Sequence, residues 1–373
     1  METAARPHLN GMCYVYYYSR DVLDPALVAA EMQKLNVKSL RSWSHLTWLL
    51  TDADTVNRSV ADGYHRMYRL MQQAGVTQIV GMSHYWLFPD GEQMDRESSA
   101  MYYRDETPGS PYQRFLDLYE RSFETMVREF PEVTDWETGN ELNHHAFLHP
   151  TDGGRFTVAQ RADIATDMMF RAARAIHRAN PKAGVIMPGM APVGEKGEGV
   201  FATNIAAEYD GILETLERVY SNIESGKFGS TDPRDFFDQL CWHPYYARQD
   251  EQGAWHWVMP DDDWVAINRA VYEVAVRHGD GDVTCVLSEY GYSDGGADDA
   301  PLIPLVAEGF RRIREEMPFV QTVHAYRFFD SLGTQTEEKD TYAFYTMKDG
   351  VLTAKKRVYT LQQQYGGSGR LSE

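Results

Sequence analysis

The 373-residue chain has no run of apolar residues approaching the roughly 18 needed for a membrane-spanning helix, which excludes a transmembrane helical bundle. It holds only three cysteines, Cys13, Cys241 and Cys285, far apart and each within an apolar run. That spacing suits reduced, buried thiols better than a disulfide framework or a zinc site. Positive charge is scarce as well. Against 55 acidic side chains stand 36 basic ones, a net charge of −19, and no cluster of Lys or Arg forms a stripe. Nucleic acid and anionic membrane surfaces are thereby disfavoured, because both need cations that release counterions. The opening Met-Glu-Thr-Ala-Ala-Arg has neither a basic nor an apolar leader region, so a cytoplasmic location is expected.

What is abundant is apolar and aromatic mass. Hydrophobic residues make up 43% and aromatics 13%, including 23 Tyr and 8 Trp, enough for a large core and too much for a disordered chain.

Along the chain, β-prone apolar runs alternate with helical patterns. Met12 to Tyr18 is followed by Asp24-Pro25, an N-cap with proline at the first helical position, and a helix to about Leu35. Val37 to Trp43 precedes a helix over 60–74, and Val76 to Ser83 one over 111–130, where Phe115, Leu118, Tyr119, Phe123 and Met126 recur at helical spacing. Val133 to Asn140 leads to a helix over 157–180, Gly184 to Pro188 to one over 204–224, and Gln239 to Tyr245 to one over 263–278. Val283 to Glu289 is paired with 300–317, and Val320 to Phe329 with 356–365.

Eight strand–helix units without a Gly/Ser/Pro-rich linker predict an α/β protein, a single (β/α)8 TIM barrel. A doubly wound sheet is the rival, but its Gly-rich turn after the first strand is missing, since Tyr18-Ser19-Arg20-Asp21 stands there. The expected layout is an N-terminal extension over 1–10, the barrel over 11–365 and a disordered tail over 366–373.

In such barrels the chemistry sits at the C-terminal ends of the strands. The polar residues closing strands here are Arg41, His84, Asn140 with Glu141, His243 with Tyr245, Glu289 and Arg327. Glu141 and Glu289 end strands four and seven and so face each other across the mouth. Two facing carboxylates are what glycoside hydrolysis requires, one to protonate the leaving oxygen and one, ionised, to attack the anomeric carbon. Glu137, on the same strand as Glu141, reads as a structural group deeper in the barrel. Loop aromatics Trp86, Trp255 and Trp257 are candidate stacking platforms for sugar faces.

Arg41 on strand two, Gly139-Asn140-Glu141 on strand four, His243-Pro244-Tyr245 on strand six and Ser288-Glu289-Tyr290-Gly291 on strand seven come in this order, and together they resemble the retaining glycoside hydrolases of clan A, with local style similar to families 39 and 5. The resemblance spans about residues 11 to 365. It implies a (β/α)8 barrel that cleaves O-glycosidic bonds by double displacement and needs no cofactor and no metal. It further implies Glu141 as acid/base, Glu289 as nucleophile, and Asn140 on the 2-hydroxyl of the sugar. Tyr245 and Arg41 would hold Glu289 ionised, and His84 and His243 would line the same subsite.

The clan's usual Trp at the end of strand eight has no counterpart in Ala325-Tyr326-Arg327-Phe328-Phe329, and Arg327 is expected in its place, on a carboxylate of the site or on an anionic or furanose sugar. The expected partner is a carbohydrate substrate. The competing readings are a non-catalytic carbohydrate-binding barrel and a metal-dependent barrel hydrolase using His144, His145 and His149. The acidic run Asp294 to Asp299 reads as a flexible loop rather than a calcium site, because it lacks EF-hand spacing.

Overall fold

The computed structural model describes residues 8–15, 23–84, 100–191, 211–249, 252, 255–329, 342–348 and 351–372. Eight strands close a barrel: β1 (Leu9–Tyr14), β2 (Ser39–Trp43), β3 (Gln78–Met82), β4 (Asp135–Glu137), β5 (Gly184–Ile186), β6 (Gln239–Trp242), β7 (Thr284–Tyr290) and β8 (Val320–Ala325). Each is parallel to its sequence neighbour, and β8 pairs back to β1 with Leu9 opposite Thr322. The helices between them are α1 (Pro25–Leu35), α2 (Arg58–Gln73), α3 (Pro111–Glu129), α4 (Val158–Ala179), α5 (Ile212–Glu224), α6 (Asp262–Arg277), α7 (Ile303–Glu316) and α8 (Lys356–Gln364).

Local chemistry accounts for the helix starts. Asp24 accepts from the backbone N–H of Ala26 ahead of Pro25, and Thr157 with Gln160 forms a capping box on α4. Caps of this kind stabilise a helix by about 1 kcal/mol each. The strands are apolar because both faces are covered. Trp136 of β4 is fully buried against Phe123 of α3, and Gly81 beside it must be glycine, because a Cβ there would lie 2.9 Å from the Trp136 ring.

Three expectations change. The barrel begins earlier than residue 11: Leu9 and Asn10 are already paired with β8, because they extend the same apolar strand. The tail is ordered over 366–372. Ser368 N–H donates to Lys34 O at 2.9 Å, Leu371 is buried, and Ser372 Oγ donates to the buried Glu31 at 2.7 Å. Its glycines thus make a tight turn that returns the chain to α1 rather than releasing it. The acidic loop is also held, since Lys355 and Arg357 both bind Asp294 and Lys356 binds Asp298. Residues 16–18 of the first predicted strand and the first turns of the helix predicted from 204 lie outside the described residues.

Candidate active site

Arg41 projects from β2 into the barrel and is fully buried. Its Nε donates to Glu137 Oε2 at 2.6 Å and its Nη2 to Glu137 Oε1 at 2.9 Å. Nη2 also donates to Asn140 Oδ1 at 2.9 Å, and Nη1 to Glu289 Oε1 at 2.6 Å. One guanidinium therefore joins strands two, four and seven, and Glu137 is, as expected, the group beneath it. A buried cation is tolerated here because carboxylates on both sides satisfy it through charge-assisted bonds.

Glu289 takes a second hydrogen bond, on Oε2, from Tyr245 Oη at 3.1 Å. Burial alone would push its carboxyl up. The positive charges of His243 and Arg41 and the hydrogen bonds from Arg41 and Tyr245 outweigh that, so Glu289 is held below the ordinary carboxylate range. Tyr245 is pushed well above the ordinary phenol range by burial and by the charge of Glu289, which keeps its proton on the hydroxyl as donor.

Glu141 follows β4 in a left-handed backbone conformation, φ 45°, unusual for a non-glycine residue. Its N–H donates to Gly189 O, just past the end of β5, at 2.7 Å, and its carbonyl accepts from His144 N–H of the same turn at 2.7 Å, so both bonds pin the turn. The turn brings a Glu141 carboxylate oxygen within 4.8 Å of one on Glu289. Strained backbone of this kind concentrates at functional sites.

The two carboxylates open into a cavity of about 290 Å³ that Asn140, His84 and Tyr245 also line. That volume is at the low end of small-molecule sites. Burial, and then the charge of Arg41, lowers His45 to about 3, while burial, and then the repulsion a proton would meet from a charged His45, lowers His84 well below the ordinary imidazole range. Both rings are neutral near pH 7. The remaining described lining is Trp43, His45, Met82, Phe147, Tyr326 and Tyr342.

Of the predicted residues, Arg41, His84, Asn140, Glu141, Tyr245 and Glu289 come together. His243 does not line the cavity. It is fully buried, with Nδ1 2.7 Å from Glu141 Oε1 and Nε2 3.0 Å from Ser288 Oγ, because it sits one layer below the mouth. Arg327 is also displaced from its expected place. Thr322 and His324 bond across the barrel interior to Gln78 of β3 and Ser39 of β2, and the alternation of β8 carries Tyr326, not Arg327, to the cavity. Trp257 stands behind the wall, its ring 5.8 Å from that of Tyr342 and 6.4 Å from that of Tyr245, with Nε1 donating to Ser293 O. Trp86 lies outside the described residues.

His144, His145 and His149 do not converge. His144 packs on Phe147, while the rings of His145 and His149 meet at 5.4 Å with their planes tilted by 45°. Glu141, His243 and Glu289 are close together, and in this structure they are already bonded: Arg41 to Glu289, and the two His243 nitrogens to Glu141 and Ser288.

Sequence reasoning missed six lining residues. Period-two counting from Arg41 points to Trp43, and from His324 to Tyr326, so these were within reach. Tyr342 sits in a loop with no periodic signal.

Fold and site together define a (β/α)8 barrel with an acidic pair at its C-terminal mouth, Glu289 buried and Glu141 half-buried. No protein-family model matches the chain, and no curated protein is similar to it in sequence. Solved structures with the same fold do exist. The AHE enzyme from Alicyclobacillus herbarius superposes with a TM-score of 0.63 at 12% identity, covering 98% of this chain and 99% of that one. A glucosidase from Croceicoccus marinus gives 0.59 at 16% identity over 97% and 68% of the two chains. The family 1 β-glucosidase from Thermotoga maritima gives 0.57 at 13% identity over 99% and 100%. At such identities the likeness shows the barrel that these enzymes share with this chain.

Proposed function

We propose that the chain is a retaining glycosidase acting on oligosaccharides or small glycosides. The observation that carries this reading is the acidic pair: carboxylate oxygens of Glu141 and Glu289 within 4.8 Å, with Glu289 held ionised by Arg41 and Tyr245. Retaining enzymes space their carboxyl groups at about 5–5.5 Å, inverting ones at about 6.5–9.5 Å to admit a water. Nearest oxygens within 4.8 Å of each other are compatible with the retaining spacing, which supports direct attack.

In this mechanism Glu289 attacks the anomeric carbon while Glu141 protonates the departing oxygen. Water then hydrolyses the ester, with Glu141 taking its proton. Asn140 spends its carbonyl oxygen on Arg41, which turns its amide N–H groups toward the 2-hydroxyl of the bound sugar. Such a bond accelerates the reaction to the extent that it tightens in the transition state. Tyr326, Tyr342 and Trp43 supply the apolar surface against which a sugar face stacks. The small cavity and the glucosidases among the similar structures favour a compact glycone.

The test is release of nitrophenol from a panel of aryl glycosides by the wild type and by Glu289→Ala with added azide. Turnover that is lost in the variant and restored as a glycosyl azide of inverted configuration supports the reading. A non-catalytic carbohydrate-binding barrel would bind the panel without turnover, and insensitivity to chelators separates the mechanism from metal-dependent hydrolysis.

A further inference from the structure

His243 has no access to the cavity, yet it touches the proposed acid/base directly. A Cβ built on Gly189 would fall 2.4 Å from His243 Nε2, 2.7 Å from Ser288 Oγ and 3.0 Å from Glu137 Oε1. Three polar atoms thus converge over one Cα, and only glycine leaves them room.

Their donor and acceptor roles follow from counting protons. Glu137, as the carboxylate salt-bridged to Arg41, can only accept, and Ser288 Oγ donates to its Oε1 at 3.1 Å. Cys241 Sγ donates to the same Ser288 oxygen at 3.0 Å. A serine hydroxyl has one hydrogen, so toward His243 it accepts, and the proton between them belongs to Nε2. Nδ1 is then the atom that faces Glu141 Oε1.

Charge points the same way. Around His243 stand Glu141 and, at 3.8 Å, Glu289, with Glu137 reached through Ser288. Arg41 of β2 opposes them, His324 of β8 is lowered to about 3 by burial and so is neutral, and Cys241 of its own strand is pushed up by burial and stays a thiol. When Glu141 carries its catalytic proton, Glu137 and Glu289 remain negative, and Arg41 balances only one of them. Burial lowers the ring's affinity for a second proton, but the charge of Glu289 and, while Glu141 is ionised, the bond to Glu141 and its charge raise it overall.

Resting on the glycosidase reading, we propose that His243 works as an imidazolium whose two N–H groups are both committed, Nε2–H to Ser288 and Nδ1–H to Glu141 Oε1. The catalytic proton is thereby confined to Glu141 Oε2, the oxygen that His243 does not occupy. From Oε2 it passes to the glycosidic oxygen as the bond to the anomeric carbon breaks and Glu289 forms the ester. His243 keeps both protons throughout, and the proton that restores Glu141 comes from the water that hydrolyses the ester. Ser288 is a positioning residue, acting through His243.

Nitrogen NMR on histidine-labelled protein reads the ring directly, with the His243 signals assigned by their loss in His243→Gln. The expected result near pH 7 is two protonated ring nitrogens. In Ser288→Ala the ring loses its proton at a pH lower by about one unit, the scale of one lost hydrogen bond to a charged group. The alkaline limb of kcat/KM moves down with it, and Gly189→Ala, which crowds the same atoms, does likewise. A neutral wild-type ring overturns the inference whatever the activity. So does an active enzyme whose alkaline limb is unmoved in Ser288→Ala. Two protonated nitrogens in a protein that turns over no glycoside would instead overturn the glycosidase reading and leave the charge state standing.

Discussion

Arg41 binds Glu289 and Glu137 at once, Nη1 to one at 2.6 Å and Nε to the other at 2.6 Å, with all three side chains buried. The guanidinium is therefore both the charge that keeps Glu289 ionised and the tie between strands two, four and seven.

Because the pair is buried, removing one partner costs more than the pair contributes. Arg41→Met leaves the buried Glu137 without its cation and Glu289 with His243 alone, and should lower unfolding free energy by about 3–5 kcal/mol. Adding Glu137→Gln removes one of the stranded charges, so the double variant should be less unstable than the sum of the single changes. Urea denaturation of the four proteins checks this, and strict additivity would contradict the arrangement.

Tyr245 holds Glu289 by a single hydrogen bond at 3.1 Å. In the wild type the acidic limb of kcat/KM should lie below the ordinary glutamate range, because Glu289 is depressed by His243, Arg41 and this bond against the opposing effect of burial. Tyr245→Phe should move that limb upward and cost roughly tenfold in kcat, the scale of one hydrogen bond to a charged group. The pH profiles of the two proteins decide it; a limb that stays in place would show that Tyr245 does not act on Glu289.

Much of this was legible in the sequence, for identifiable reasons. The barrel follows from eight apolar runs alternating with helical periodicity, and α3, expected over 111–130, is observed over Pro111–Glu129. The acidic pair follows from polar residues closing apolar strands. What sequence could not supply was depth. Nothing in His243-Pro244-Tyr245 tells that the histidine lies beneath the cavity and the tyrosine within it, and the turn at Glu141 depends on Gly189 of a strand some fifty residues away. The tail misled because Gly366-Gly367-Ser368-Gly369 has the composition of a linker, whereas Ser368 and Ser372 bond to α1.

The exchange of Arg327 for Tyr326 at the cavity changes what a mutation there should do. Tyr326 lies against Tyr245 and Tyr342, with ring centroids at 6.4 and 5.6 Å, and lines the cavity. Tyr326→Ala should raise KM for the best aryl glycoside by about tenfold through lost stacking area, with a smaller fall in kcat. If Tyr326→Ala kept the wild-type KM, the wall assigned to it would be wrong.

Acid should unfold this protein earlier than its carboxylates alone would require. His45 and His324 are buried and lowered to about 3, His8 to about 4 by burial and Arg314, and His84 well below its ordinary value. In the unfolded chain each takes a proton near pH 6.5, which the folded chain refuses. Between that value and the folded ones, unfolding takes up protons, so stability is complete above about pH 6.5 and falls as the pH drops. Each histidine contributes a slope of roughly 1.4 kcal/mol per pH unit within its window. Urea midpoints measured at pH 7, 6 and 5 should therefore decline before the carboxylates begin to titrate. His45→Asn should flatten the decline, while equal midpoints at pH 7 and 5 would mean that these rings are reached by protons without unfolding.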